Sequence, residues 1–251
     1  MTSSVNACEI VRIKRLELAF TPRPWPFAEA RRGEIDRHFE AIQRSKPAVW
    51  NGRILLLYQH AIVDGVFRGA YFETDYASFV AWRAWGFPDR AVHNCFSLGA
   101  LRGSDGGFLL GVMNSHTLNA GKIYFPAGTP EPNDIAGATV DLVSSIHREV
   151  AEETGIAPDD YEAEEGWTCV FSDAHIAQIK LLRARESAAA LRARIMANLA
   201  REREPELADI RIARGPADLD PMMPPFVSAF LTHVWSQPRE TRETDQTVQD
   251  R

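Results

Sequence analysis

Apolar residues recur at helical spacing along five stretches of the chain, and these stretches predict five helices. The predicted helices cover residues 28–45, 75–85, 141–154, 186–203 and 225–235. The third is the most regular, because Leu142, Ile146 and Val150 follow one another at intervals of four residues and Gly155 comes directly after its end. This apolar stripe predicts that one face of the helix packs on a sheet.

Short apolar runs bounded by turn residues predict strands between these helices. The predicted strands cover residues 53–60, 95–101, 108–113, 122–126, 167–171, 176–184 and 210–213. The Gly- and Ser-rich segment between the second and third of them predicts a hairpin turn. The mixed order of strands and helices predicts an α+β fold, in which a sheet is packed against a few helices.

The length of the chain allows one large domain or a domain with an appended lobe, since 251 residues exceed the roughly 100–200 residues of a common domain. We expect an N-terminal lobe over residues 1–91, made of helices and a strand and packed on the rest. A main domain over 92–235 follows, where short strands become frequent. Residues 236–251 are nearly all polar and predict a disordered tail.

The charge balance excludes some classes of partner. With 34 acidic and 28 basic residues, the formal net charge is −6, whereas non-specific nucleic-acid binding needs a basic surface. The apolar runs are far shorter than the roughly 20 residues that cross a bilayer, and no signal peptide is visible. The three cysteines fit neither a disulfide framework nor a cysteine-based zinc site. We therefore expect a cytoplasmic protein without a nucleic-acid or membrane partner.

The third predicted helix carries a chemical motif at its end, the sequence Arg-Glu-Val-Ala-Glu-Glu-Thr-Gly-Ile over residues 148–156. At about 100° per residue, Glu149, Glu152 and Glu153 share one narrow face of the helix. Like charges at this spacing repel, but a divalent cation such as Mg²⁺ or Mn²⁺ takes oxygen ligands and turns the repulsion into ligation. The competing interpretation is a solvated acidic face with Arg148 paired to Glu152.

This segment resembles the second half of the Nudix box, the signature of the MutT-like hydrolases, which reads Arg-Glu-apolar-any-Glu-Glu-any-Gly-apolar. The first half of the box has a Gly, five residues, a Glu, and seven more residues before the Arg. Gly128 and Asp134 have the first spacing, with Asp in place of Glu, but thirteen residues separate Asp134 from Arg148. The chain thus resembles an atypical branch of the superfamily, with an N-terminal lobe and a six-residue insertion in the box.

The resemblance implies a Nudix α/β/α sandwich, with a mixed sheet between helices, and a role for each residue of the box. Glu149, Glu152 and Glu153 are the implied catalytic carboxylates and ligands of Mg²⁺ or Mn²⁺. Arg148 is implied to orient them, the backbone carbonyl near Gly128 to add a further metal ligand, and Gly128 to contact the substrate. The implied reaction is the attack of water on the diphosphate of a nucleoside diphosphate linked to another group, X.

The substrate and the general base lie outside the box. The loop over 126–133 resembles that of a branch that hydrolyses UDP-sugars, while dinucleotides, coenzyme A derivatives and damaged nucleotides stay open, as does a homodimer. Glu206 is the preferred candidate for the base, ahead of Glu204 and Asp173, although exposed surface carboxylates would look the same. His116 and Lys122, in the polar segment before the box, are candidate substrate ligands or plain surface residues.

An aromatic cluster in the N-terminal lobe has the spacing of a helix core and is a weaker candidate for stacking a nucleobase. It comprises Tyr71, Phe72, Tyr76, Phe79, Trp82 and Trp85. Two other functions compete with hydrolysis. One is a Nudix-fold module that senses a nucleotide-like ligand without turnover, for which lost box carboxylates would be typical. The other is an isoprenoid diphosphate isomerase, which would need Cys95 or Cys169 as an acid near the metal.

Overall fold

The computed structural model describes residues 8–237, which form two β-sheets and six α-helices. The strands are β1 (Glu9–Ile13), β2 (Arg15–Phe20), β3 (Arg53–Val63), β4 (Val66–Asp75), β5 (Asn94–Arg102), β6 (Phe108–Met113), β7 (Ile123–Tyr124), β8 (Ala127–Gly128), β9 (Ile135–Ala136), β10 (Thr139–Val140), β11 (Tyr161–Ala163), β12 (Trp167–Ser172), β13 (His175–Ala184) and β14 (Leu207–Ala213). The helices are α1 (Pro26–Ala30), α2 (Arg32–Ser45), α3 (Tyr76–Ala84), α4 (Leu142–Thr154), α5 (Ala188–Leu199) and α6 (Pro225–Ser236).

The larger sheet has the strand order β1-β12-β13-β5-β6-β14, with β7, β8 and β11 attached to its members. It is mixed, because β5 and β13 run parallel while the other pairs are antiparallel. Successive side chains of a strand point to opposite faces, so each strand feeds two cores. One core packs α4 and α5 on the sheet, and the other packs α6 on the opposite face. The predicted α+β sandwich with a mixed sheet is confirmed.

The smaller sheet has the order β3-β4-β2-β10-β9 and supports the three N-terminal helices. On one face, Ile54 and Leu56 of β3 pack against α2 and α3. On the other face, the alternate residues Leu55 and Leu57 enter the same core as α4 and the larger sheet. The two sheets therefore share one hydrophobic core. A third core lies between the smaller sheet and the N-terminal helices, and it contains most of the aromatic residues of α3, as their helical spacing predicts.

Each of the two sheets contains strands from both sides of the boundary that the sequence predicts between residues 91 and 92. Strand β1 pairs with β12 and completes the larger sheet, while β9 and β10 come from the box segment and pair with β2 in the smaller sheet. The local pattern of apolar runs predicts none of β1, β2 and β4. Strands β1 and β2 pair with segments distant in sequence, which a local pattern does not contain. Strand β4 instead follows β3 across a tight turn at Asp64 and Gly65, both with positive φ, and this hairpin signal is present in the sequence but was missed.

The six residues 135–140, which the resemblance to the box implies to be an insertion, form the hairpin β9–β10. Its two ends are joined, since the backbone N–H of Asp141 donates to the carbonyl of Asp134 at 2.8 Å. The thirteen residues between Asp134 and Arg148 therefore consist of six in the hairpin and the seven that the box pattern requires.

Helix α4 begins and ends where its sequence predicts. The side chain of Asp141 accepts hydrogen bonds from the N–H groups of Val143 and Ser144, and Gly155 ends the helix in the left-handed conformation, at φ 70°. By contrast, the helix predicted over 28–45 is divided into α1 and α2 at Arg31. Of the predicted tail, only Ser236 and Gln237 lie within the described residues, and Ser236 ends α6. None of the helices within residues 8–237 has the length and apolarity to span a bilayer.

Candidate active site

The apolar stripe of α4 holds the helix on the larger sheet and turns its acidic face toward a cavity. Leu142, Ile146 and Val150 are 1%, 2% and 0% exposed. The helix lies close to β5 at Gly99, where an added Cβ would come within 2.6 Å of the Val150 side chain. The glutamates therefore sit on a rigidly packed element, which suits a binding site that has to keep its geometry.

Six glutamates line this cavity, which has a volume of about 200 Å³ and is called the acidic cavity below. They are Glu149, Glu152, Glu153, Glu202, Glu204 and Glu206. The three box glutamates lie at different depths, because Glu153 is 7% exposed while the side chains of Glu149 and Glu152 are 17% and 62% exposed. The other three come from the segment between α5 and β14 and remain largely in contact with solvent.

The acidic cavity has an excess of negative charge. Burial raises the pKa of Glu149 to about 7, with Arg148 opposing the rise and Glu152 adding to it. Burial also raises the pKa of Glu153 well above its usual value, and Glu206 raises it further. A carboxylate that is withdrawn from water and surrounded by like charges is stabilised by a cation, so the cavity favours a positively charged ligand.

The loop before the insertion lies directly against the acidic face of α4. The N–H of Ala127 donates to Glu153 Oε1 at 3.1 Å, and β8 is held in place by pairing with β5. A Cβ at Gly128 would lie 2.4 Å from Glu149 Oε1, so any other residue would displace the end of that side chain. Glycine at 128 therefore lets the loop approach the glutamates without moving Glu149.

Arg148 connects the helix to the first half of the box. Its guanidinium lies 2.8 Å from Asp134 and 2.9 Å from Glu149, and at the longer distance of 3.7 Å from Glu131 and Glu152. The competing interpretation, an Arg148–Glu152 pair on a solvated face, thus accounts for only one of four contacts. Asp134 is buried, with a side chain 3% exposed, and also accepts a hydrogen bond from the N–H of Glu131.

The donor set of the acidic cavity fits a hard divalent cation. Carboxylate oxygens are the preferred ligands of Mg²⁺ and Mn²⁺, and a bound cation would offset the burial and the like charges that raise the pKa of Glu149 and Glu153. Within residues 8–237, no group of three His, Cys, Asp or Glu side chains already converges on a metal position. Glu149 contacts Arg148 and Glu153 contacts the Ala127 N–H through Oε1, so the second oxygen of each carboxylate is the one that would bind a cation.

The residues predicted outside the box divide into two groups. Glu204 and Glu206 line the acidic cavity, while Asp173 pairs with Arg90 at 2.7 Å and does not. Partial removal from water raises the pKa of Glu206, and the positive charge of nearby His116 lowers it. Lys122 is exposed and does not line the cavity. Glu202 was missed, although it belongs to the same run of alternating glutamates after α5.

The two cysteines that an isomerase would need lie in the core instead. Gln178 Nε2 contacts the Sγ atoms of both Cys95 and Cys169, and both side chains are 0% exposed. Burial raises the pKa of the Cys95 thiol to about 12. Neither thiol lines the acidic cavity, so neither is placed to act as an acid on a ligand bound there.

Comparison with known proteins gives partial similarity to solved structures, whereas no protein-family model and no curated protein matches the chain. A Nudix hydrolase from M. smegmatis, RenU, has 14% identity and a TM-score of 0.37, covering 57% of this chain and 83% of that one. The MutT protein from Methanosarcina mazei Go1 has 18% identity and a TM-score of 0.35, covering 55% and 90%. A mutant of the pyrophosphohydrolase BsRppH from Bacillus subtilis has 12% identity and a TM-score of 0.30, covering 66% and 78%.

Proposed function

We propose that the chain is a Nudix hydrolase that uses Mg²⁺ or Mn²⁺ to cleave a phosphoric anhydride bond in a nucleoside diphosphate linked to X. One observation carries the proposal. The segment that matches the box places Glu149, Glu152 and Glu153 on one cavity, and both residues of the matching first half contact the same helix. Gly128 lies against Glu149, and Asp134 holds Arg148.

The residues of the acidic cavity divide the work of such a reaction. Glu149, Glu152 and Glu153 are the proposed ligands of the divalent cation. When bound, such an ion neutralises a diphosphate and makes water a better nucleophile. Arg148 keeps Glu149 in place through the 2.9 Å ion pair, and Asp134 keeps Arg148 in place.

Glu206 is the proposed general base. Its raised pKa makes its carboxylate a stronger base than that of an ordinary glutamate, which favours acceptance of a proton from the attacking water. The water oxygen forms a bond to one phosphorus while the bridging P–O bond breaks, so two phosphorylated products leave, or one product and phosphate. UDP-sugars are one proposed class of substrate, next to dinucleotides, coenzyme A derivatives and damaged nucleotides.

A panel of diphosphate compounds tests the proposal. Product release from UDP-sugars, ADP-ribose, NADH, coenzyme A and nucleoside triphosphates is measured with Mg²⁺ and with Mn²⁺. We expect turnover of one class, and a loss of about 100-fold or more in Glu153→Gln, which removes a carboxylate that the transition state needs. Glu162→Gln, an exposed glutamate of β11 outside the cavity, is the matched control and should keep full activity.

Two results would overturn the proposal. Full activity of Glu153→Gln would remove the ligand assignment. Absence of turnover across the panel, in a folded protein that binds Mn²⁺, would favour the module that senses a nucleotide-like ligand without hydrolysis.

A further inference from the structure

The segment over 114–122 connects the acidic cavity to the N-terminal helix α3. The backbone N–H of Asn114 donates to the carbonyl of Glu206 at 2.8 Å, which joins this segment to the acidic cavity. Lys46 Nζ donates to the carbonyl of Thr117, which joins the same segment to the N-terminal helices. Residues from both parts of the chain therefore meet beside Glu206.

Arg83, in the last turn of α3, is a cation that contacts this segment. Its Nη1 donates to Asn119 Oδ1 at 3.4 Å, and its guanidinium lies 5.6 Å from the centre of the Phe79 ring. It is half-buried, and no carboxylate among residues 8–237 forms an ion pair with it. Partial burial of a charge without a counter-charge is unfavourable, and an anionic ligand would remove this cost.

A short chain of hydrogen bonds leads from Arg83 toward the glutamates. Asn119 Nδ2 donates to the Tyr124 hydroxyl at 3.2 Å, which fixes the Asn119 amide between the two residues. Tyr124 lies within electrostatic range of Glu153, Glu206 and Arg83, and its pKa is raised chiefly by burial. The hydroxyl accepts from Asn119, and no described residue takes its proton, so the O–H can donate to a ligand.

We propose that Arg83 and Tyr124, aligned by Asn119, form an anion subsite that binds a phosphate of the substrate. The inference rests on the proposed function for the identity of that phosphate. The N-terminal lobe thereby supplies a substrate ligand that the box does not contain. In this subsite the Arg83 guanidinium donates charge-assisted hydrogen bonds to the phosphate, and the Tyr124 hydroxyl donates a further one.

Binding of a nucleotide that resists hydrolysis tests the subsite without requiring turnover. Binding of α,β-methylene-ADP with Mg²⁺ is measured by calorimetry for the wild type, Arg83→Ala, Arg83→Lys and Tyr124→Phe. We expect a roughly tenfold or larger increase in Kd for Arg83→Ala, a smaller one for Arg83→Lys, and a few-fold increase for Tyr124→Phe. Arg211→Ala, an exposed arginine of β14, is the control and should bind like the wild type.

The outcomes separate the subsite from the proposed function. Wild-type affinity in Arg83→Ala refutes the subsite, as does failure of the wild type to bind the probe at millimolar concentration. If the substrate panel gives no turnover while binding still depends on Arg83, hydrolysis is wrong and the subsite stands. If hydrolysis is found and Arg83→Ala keeps the wild-type KM, the subsite is wrong and hydrolysis stands.

Discussion

Asp134 and Arg148 form an ion pair of 2.8 Å that joins the two halves of the box motif across an inserted hairpin. The carboxylate of Asp134 is almost completely buried, while the guanidinium is 32% exposed and reaches Glu149 with its other nitrogen. The pair thus transmits the position of the loop to a glutamate of the acidic cavity. The hairpin is closed at its base by the hydrogen bond from the Asp141 N–H to the Asp134 carbonyl, which brings Asp134 next to the helix.

We expect Asp134→Asn to lower activity by at least about tenfold, because Arg148 loses its buried partner and no longer holds Glu149. Removal of one partner from a buried pair costs up to about 3–5 kcal/mol, and the partial exposure of Arg148 reduces this to about 1–3 kcal/mol. Thermal unfolding and steady-state rates measure the two effects. Asp209→Asn breaks the exposed 2.6 Å ion pair with Arg192 and should change neither the Tm nor the steady-state rate by much. Unchanged activity in Asp134→Asn would contradict a positioning role.

Gly128→Ala should impair cation binding and activity more than folding. The added Cβ would overlap with Glu149 Oε1 and Cδ, so the carboxylate has to turn out of the acidic cavity. We expect a loss of activity of roughly tenfold or more and a weaker increase of Tm on addition of Mn²⁺. Gly215→Ala is the matched control, because a Cβ there meets no atom within 4 Å. An active Gly128→Ala protein would show that the loop is free to move away.

Glu153→Gln should stabilise the metal-free protein while it removes activity. The substitution deletes the charge of Glu153, a residue that is 7% exposed and lies among five other glutamates. At pH 8 without metal we expect a gain of about 1 kcal/mol, or roughly 2–4 °C in Tm. On addition of Mn²⁺ the wild type should have the higher Tm, because the cation stabilises the wild type more than the variant. Glu152→Gln, at a side chain 62% exposed, should shift Tm less, and equal shifts would argue against charge burial as the cause.

The stability of the protein should decrease below about pH 6.5 in part because of His60 and His93, whose rings lie 5.0 Å apart. Burial lowers the pKa of both rings, so each is neutral in the folded state while the unfolded chain takes up protons. Their contribution to stability is therefore present above about pH 6.5 and is lost as the pH falls through the lowered pKa.

The variant His60→Phe isolates this effect, because the ring already packs on Phe67 and Phe171. Its Tm should decrease less than that of the wild type between pH 7.5 and pH 5. The comparison is needed because the raised pKa of Glu149 acts in the opposite direction and stabilises the folded state as the pH falls. Parallel curves for the two proteins would exclude a contribution from His60.

The sequence by itself determined the local features of the candidate site. The spacing of Leu142, Ile146 and Val150 predicted the buried face of α4, and Gly155 predicted its C-terminal end. These features depend on contacts within one helix turn, so a local pattern contains them. The α+β class followed from the same kind of evidence.

The tertiary structure decided how distant segments meet. Pairing of β1 with β12 and of β10 with β2 connects parts of the chain more than one hundred residues apart, for which the sequence carries no local signal. Tertiary structure also brings a second group of glutamates to the box glutamates, because the segment after α5 returns to α4. These are Glu202, Glu204 and Glu206. The box glutamates were evident in the sequence, whereas their different burial, the role of Asp134 and the place of Arg83 depend on packing between separate elements.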